Sequence, residues 1–404
     1  MNILLLTNCI AQPDDTDKSV NDIVFSFAKE WEAAGHRVVI VNSESKFFYA
    51  FYKVPKFILR AIKKRGNFTV PSVASRKRLE WEKNGVKIIR LPMFKLYPHA
   101  AFSSKQYERQ KNLIISYLKS LSFVPDVITG HWLEPQLRLI DSFGNYYHAK
   151  KALVIHGELP QTITDKYKTL IARLDALFFR SQSVRTKMVK LYGNSYLMSD
   201  KVMVCYSGIP DEFVNNQVNR TDWKRNGVLK LIYVGRLERY KRIDATLDAL
   251  AKAFPQHDFV FEIVGDGPEK ENLVKKATEL GILSNVSFVG RVPREDVIKR
   301  MNEADCFVMI SENEVFGLVY LEAMACGCLT VAAFDGGVDG IIVDGKNGFL
   351  CKQGDSDSLK AVLNGINRFE SKDVAKIRIA AYETVKAYTD SHAAKSYLNN
   401  IIEE

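Results

Sequence analysis

A chain of 404 residues is too long for one ordinary hydrophobic core, and two domains of roughly 150–200 residues are the natural division. With 47% hydrophobic and 26% charged residues it has the composition of a globular enzyme, which excludes disordered, fibrous and disulfide-scaffold classes. The net charge of +10 is uneven: between Lys46 and Lys95 fourteen Lys and Arg stand against Glu80 and Glu82, a net of +12. That segment includes "FFYAFYKVPKFILRAIKKRGNF", where cations alternate with aromatic and aliphatic residues. It suits an anionic membrane surface or an anionic acceptor; the rivals are a solvated basic surface and, less favoured, nucleic acid, and no nucleic-acid partner is expected. No stretch reaches the roughly 18 consecutive apolar residues of a membrane span, and "MNILLLTNCIAQPDD" lacks the basic start of a signal peptide. The six cysteines form neither a CxxC pair nor a zinc spacing, so core thiols in a reducing cytoplasm are expected.

Taken in chain order, short β-rich runs alternate with amphipathic helical stretches. The first half offers strands at 2–8, 37–43, 86–92, 126–131, 152–157, 176–181 and 201–208, with a helix over 19–35 that stops at a glycine. Continuous apolar strands in βαβ alternation predict a parallel sheet covered on both faces. The segment 209–228 has no sustained periodicity and is read as a linker. The pattern then restarts, with strands at 229–237, 259–267, 285–292, 306–311 and 329–334. The fold class is therefore α/β: two facing Rossmann-like domains, 1–208 and 229–390, with ligands expected beyond the carboxyl ends of the strands, in an interdomain cleft.

Within the second half, "SENEVFGLVYLEAMACG" sets Glu314 in the loop after a buried strand and Glu322 in the helix that follows. Gly317 allows close backbone approach, and first-turn amides make the helix start an anion site suited to a diphosphate. Glu314 can accept from sugar hydroxyls and Glu322 from a ribose diol. Upstream, "LIYVGRLERYKRID" ends a strand in Gly235-Arg236 and reaches Lys241 five residues later. An arginine fork and a lysine point charge can clamp one pyrophosphate and offset the charge developing on a leaving nucleoside diphosphate.

These stretches, with "IVGDGPE" (263–269), "FVGRV" (288–292) and "FDGGVDGIIVDGKNGFL" (334–350), resemble the retaining glycosyltransferases of family 4, which have the two-domain GT-B fold. The resemblance covers the whole second half. It implies that Arg236 and Lys241 bind the donor diphosphate, that Glu314 contacts the donor sugar, and that the Phe316, Gly317 and Leu318 backbone lies beside sugar and phosphate. Glu322 would hold the ribose, and the turn at Gly290, Arg291 and Val292 would line the base. A last helix, 391–404, would cross back onto the first domain. Of two histidines that follow first-domain strands, His156 in "VIHGELP" would approach the donor sugar; His131 in "TGHWLEP" is second, with Trp132, Glu134 and Glu158 as acceptor contacts.

The sequence departs from the family pattern in the loop after its first strand, "TNCIAQPDDTDKSVND", which has no glycine to bring amides to a phosphate. Ser19 and Val20 could supply amides instead, or the loop could serve the acceptor. Cys328 replaces a usual proline and Asp339 a usual glutamate. Two DxD strings, Asp15-Thr16-Asp17 and Asp355-Ser356-Asp357, read as turn and helix-cap chemistry, so no metal and no cofactor are expected. The resemblance implies metal-independent, retaining transfer of a hexose from a nucleotide diphosphate sugar, UDP by preference, to a glycan or polyprenyl-linked acceptor. The expected setting is bacterial capsule or exopolysaccharide assembly, in the cytoplasm and peripherally on the inner face of the membrane. A nucleotide-sugar epimerase of the same fold and a non-catalytic donor-binding subunit stay open.

Overall fold

The structure, a computed structural model, describes residues 1–13, 22–54, 76–97, 100–192, 199–215, 223, 224 and 227–403. Asp15, Thr16, Asp17, Ser19 and Val20, and the cations Lys56, Arg60, Lys63, Lys64 and Arg65, lie outside the described residues. The chain divides into two compact units, one of Met1–Phe179, Lys187–Cys205 and Ala394–Glu404, the other of Arg180–Thr186 and Tyr206–Ala393.

The described residues of the first unit form ten strands: β1 (Asn2–Thr7), β2 (Arg37–Asn42), β3 (Ser45–Lys46), β4 (Leu79–Lys83), β5 (Val86–Arg90), β6 (Met93–Phe94), β7 (Val127–His131), β8 (Lys150–Ile155), β9 (Ala176–Phe179) and β10 (Val202–Val204). Eight form one sheet in the order β10-β9-β8-β7-β1-β2-β5-β4, and β3 pairs with β6. Every pairing in the large sheet is parallel except β4 against β5. β1 and β7 are almost wholly buried, as strands covered by helices on both faces must be. Because β1 lies between β2 and β7, the strand order reverses there, and the crevice beyond the carboxyl ends of β1 and β7 is the natural ligand position.

The second unit repeats the scheme with β11 (Leu229–Val234), β12 (Phe259–Val264), β13 (Val286–Gly290), β14 (Cys306–Val308), β15 (Leu329–Ala333) and β16 (Phe349–Cys351). All run parallel in the order β13-β12-β11-β14-β15-β16, so the order reverses between β11 and β14. The α/β class read from the sequence is the one observed, but all of its strands except 126–131 end one to four residues too late. Loop residues that continue an apolar run carry the same pattern as the strand while their backbones have left the ladder. β4, "LEWEK", escaped the reading because an antiparallel edge strand alternates with charged residues instead of forming an apolar run.

The part of the last helix that counts with the first unit is tied there by aromatic packing. Tyr397 is 2% exposed and meets Phe27 and Phe178 edge-on at 5.1 and 4.9 Å. Its hydroxyl bonds Thr129, and Trp31 donates from Nε1 to the Ala394 carbonyl at 2.8 Å. Tyr397→Ala should destabilise the first unit by roughly 3–5 kcal/mol, the range for emptying an aromatic core site. Tyr397→Phe should cost only about 1 kcal/mol, for one buried hydroxyl left without its partner. Urea unfolding followed by tryptophan fluorescence separates the two; equal losses would mean that the hydroxyl, not the ring, anchors the helix.

Candidate functional site

At the carboxyl end of the second sheet the backbone is brought together by glycines. A β-carbon on Gly265, whose φ is +140°, would lie 1.8 Å from the Gly235 carbonyl oxygen. The Gly235 amide donates to Val264 at 3.0 Å and the Gly265 amide to Gly290 at 2.9 Å, so the ends of β11, β12 and β13 are bonded in series. The Tyr233 hydroxyl donates to the Arg236 carbonyl at 2.9 Å, which fixes the path of the chain leaving β11. A 3₁₀ turn, Arg239–Lys241, then delivers Lys241.

The Lys241 ammonium pairs with the Glu314 carboxylate, and these side chains are 11% and 13% exposed. Lys241 Nζ also reaches Met309 Sδ at 3.7 Å. Lys241 follows β11 and Glu314 follows β14, so the pair stands where the strand order reverses. Arg236 is directed elsewhere: its guanidinium, 61% exposed, pairs with Glu238 at 2.8 Å. Arg242, with left-handed backbone, pairs with Glu312 and, at 3.2 Å, with Asp244; the two carboxylates raise its pKa while burial opposes them.

Gly317 caps the next helix, Leu318–Ala325, with φ +78°, and a β-carbon there would run into the Tyr320 ring at 2.6 Å. No side chain caps this helix start. Phe316 is buried against the Tyr206 ring and under the Arg180 guanidinium. Tyr320 donates to the Met309 carbonyl at 2.8 Å, clamping the helix to the end of β14. Because the helix starts at Leu318, Glu322 lies just beyond its first turn.

Glu322 pairs with Arg294 at 2.6 Å, the carboxylate being 17% and the guanidinium 56% exposed. Burial raises the Glu322 pKa, and the Arg294 charge and hydrogen bond only partly oppose it. Arg294 opens the helix Arg294–Glu303, directly after the turn Gly290–Val292. Arg291 is exposed and Val292 packs against the core. The structure thus gathers Lys241 with Glu314, and joins Glu322 through Arg294 to the Gly290–Val292 turn. Arg294 is a site residue that the sequence reading missed, since nothing in "RVPREDV" signals a partner 28 positions away.

In the first unit His131 is fully buried at the end of β7, beside the reversal in strand order. Its Nδ1 lies 2.9 Å from His156 Nε2, and His156 stacks on Trp132 with ring centroids 4.3 Å apart. Trp132 has φ +67°, rare for so bulky a residue, and Glu134-Pro135 is a cis peptide. Glu134 accepts from the Tyr107 hydroxyl and meets Arg138 at 3.5 Å. Glu158 is not drawn into this group: it pairs with Lys187 at 2.6 Å on the exposed surface. Asp355 caps the helix Ser356–Asn367, accepting from the Ser358 amide at 2.7 Å. Among the described residues no three His, Cys, Asp or Glu side chains gather as metal ligands, and no helix is long and apolar enough to cross a membrane.

The pH dependence follows from Glu322. Its folded pKa lies above its unfolded one, so its contribution to stability is fully present below the unfolded pKa and is lost as pH rises through the folded value. Melting of Glu322→Gln should lack this decline between the acidic carboxylate range and neutrality. A parallel pH profile in both proteins would show that Arg294 compensates Glu322 fully.

Residues 216–383 match the glycosyl transferases group 1 family. The N-acetyl-α-D-glucosaminyl L-malate synthase of Bacillus anthracis is 35% identical over 126 residues, 31% of this chain and 32% of that protein. The glycogen synthase of Mycobacterium tuberculosis is 27% identical over 261 residues, 61% of each chain. The alignments thus span about a third and about three fifths of these relatives' lengths. The solved structure of HepE from Anabaena, in complex with UDP and glucose, superposes with a TM-score of 0.65 at 18% identity and covers 100% of both chains. Residues 216–383, within the second unit, thus resemble the glycosyl transferases group 1 family, and the two Rossmann-like units share the GT-B fold of the solved neighbour.

Proposed function

We propose that this protein is a retaining, metal-independent hexosyltransferase that takes its sugar from a nucleotide diphosphate donor, UDP-linked, and passes it to a hydroxyl of a glycan or lipid-linked glycan. The observation that carries this reading is the Lys241–Glu314 pair at the strand-order reversal of the second sheet. It puts an ammonium suited to a diphosphate beside a carboxylate suited to sugar hydroxyls. The match to the glycosyl transferases group 1 family and the UDP and glucose held by the Anabaena structure support the same donor class.

On this reading Lys241 faces the diphosphate and the exposed Arg236 leaves Glu238 to join it, Glu314 accepts from the sugar while holding Lys241 in place, and Glu322 accepts from the ribose. The Phe316, Gly317 and Leu318 backbone lies beside the phosphate, and Gly235, Arg291 and Val292 complete the nucleotide side. The acceptor oxygen bonds to the anomeric carbon as the bond to the diphosphate breaks on the same face. The acceptor proton passes to the leaving phosphate oxygen. The cations lower the barrier by offsetting the charge that builds on that oxygen. His156 and His131 serve the sugar and acceptor side, with Glu134 as an acceptor contact and Glu158 as a more distant one.

A thermal-shift panel with UDP, GDP, ADP and CMP tests the donor. UDP should give the largest shift, and Glu322→Ala, Lys241→Ala or Arg236→Ala should each weaken it about tenfold or more, the worth of a charged hydrogen bond. A response to none of the four, or one indifferent to these variants, would overturn the donor assignment.

The basic segment 46–95 supports placement of the enzyme on an anionic membrane face, as in polysaccharide assembly. Co-sedimentation with vesicles should rise with anionic lipid and fall when Lys63, Lys64 and Arg65 all become Ser. Binding unmoved by either change would remove the membrane from the proposal.

A further inference from the structure

The first unit contains a cavity of about 500 Å³ that none of the donor-site or acceptor-contact residues named above lines. It is walled by β3, β6, the chain following β5 and the helix Ser104–Ser120. It therefore opens beyond the carboxyl ends of β2 and β5, the side on which sheets of this kind receive ligands. Among the described residues four cations line it, Lys46, Arg76, Arg78 and Arg109, and no carboxylate does.

Arg78 has a counter-charge, Glu80 at 2.5 Å. Among the described residues no carboxylate pairs with Lys46, Arg76 or Arg109. Arg76 is held by aromatic faces instead, its guanidinium 5.4 Å from the ring centroids of both Tyr49 and Tyr52. Its Nε is buried with no hydrogen-bond partner among the described residues. Burial lowers the Lys46 pKa, and the charges of Arg109 and Arg76 lower it further. Like charges gathered in a partly dry cavity repel one another, and an anion relieves that repulsion.

The remaining wall is apolar, formed by Leu91, Met93, Phe94 and Leu113. The helix side of the cavity is firmly built. Gln110, 3% exposed, donates to the Leu91 carbonyl at 2.8 Å and to Ser43 Oγ at 2.9 Å, and Gln106 donates to the Phe94 carbonyl at 2.7 Å. The volume is that of a small-molecule site and exceeds what a lone phosphate would fill.

We propose that this pocket binds a phosphate or diphosphate group, with Lys46, Arg76 and Arg109 on the phosphoryl oxygens and the apolar wall against the group's substituent. The site stands on the cavity alone; the further step, that the group belongs to the acceptor of the transfer, rests on the reading given under Proposed function.

Calorimetric titration of the full chain with farnesyl diphosphate, inorganic pyrophosphate, farnesol and UDP tests both levels. Farnesyl diphosphate should bind more tightly than farnesol, and added salt should weaken it. Lys46→Ala and Arg109→Ala should each reduce this binding about tenfold or more. Arg109→Lys should restore part of it. Because Arg109 is exposed on its helix, its substitution should leave the melting temperature close to that of the parent. UDP affinity should be unchanged in these variants and weakened about tenfold or more in Glu322→Ala, which should keep farnesyl diphosphate. Pyrophosphate binding as tightly as farnesyl diphosphate would assign the site to free phosphate compounds. Farnesol binding as tightly, or farnesyl diphosphate binding indifferent to both Lys46 and Arg109, would overturn the site. Loss of the UDP response with pocket binding intact would instead remove the donor reading and leave the pocket standing.

Discussion

Residue 265 has no room for a side chain: a β-carbon there would stand 1.8 Å from the Gly235 carbonyl oxygen. Everything at the carboxyl end of the second sheet depends on that approach. With it, the loops after β11 and β12 lie against each other, and the amides of Gly235 and Gly265 continue the sheet's bonding past the strand ends. Gly267 repeats the constraint one step on, where a β-carbon would meet the Leu237 carbonyl oxygen at 2.5 Å. A methyl group at either position would part these backbones and shift the turn that presents Lys241. The precision of the charged groups is thus set by residues that carry no charge.

The buried charges differ in how completely they are compensated. Lys241 and Glu314 are both shielded, so each supplies the counter-ion whose absence would make the other very unfavourable. Glu322 is shielded but its partner Arg294 is largely in water, and burial wins: its proton is held more tightly than in an ordinary glutamate. A carboxylate in that condition gains from a neutral donor pair, such as a diol, more than a fully paired one would. This is the physical ground for separating Glu314 and Glu322 by role although the sequence presents them as one motif.

The sequence disclosed the fold because parallel strands covered on both faces are unbroken apolar runs, and "NILLLTN" or "LKLIYVG" admit no amphipathic reading. It could not place strand ends. "KVMVCYSG" stays apolar through Tyr206, yet only Val202–Val204 pair; the chain after Cys205 belongs to the other unit. β16 was hidden because three residues carry no period. Lys241 and Glu314 were legible separately, from charge after a strand, but their pairing depends on which strands are neighbours. Arg294 and Arg109 were invisible for the same reason. Arg109 did leave a trace, since Gln106, Arg109, Gln110 and Leu113 follow the spacing of one helix face and all line the cavity. That face mixes polar and apolar residues, so a search for apolar stripes passes over it.

The contrast between the units' cations has a consequence for selectivity. Lys241 already holds a carboxylate, so an incoming phosphate gains only the difference between the new contact and the old. A ligand that brings only a phosphate gains little there. One that also presents hydroxyls to Glu314 and Glu322 satisfies the displaced acceptors at the same time, and on the proposed reading a nucleotide sugar does this. Lys46, Arg76 and Arg109 hold no such carboxylate among the described residues, and any phosphate gains the whole contact. Discrimination there must come from the apolar wall, through the substituent and not the charge. Compensated cations beside acceptors and uncompensated cations beside an apolar surface thus select different parts of their ligands, a division that on the proposed reading separates donor from acceptor.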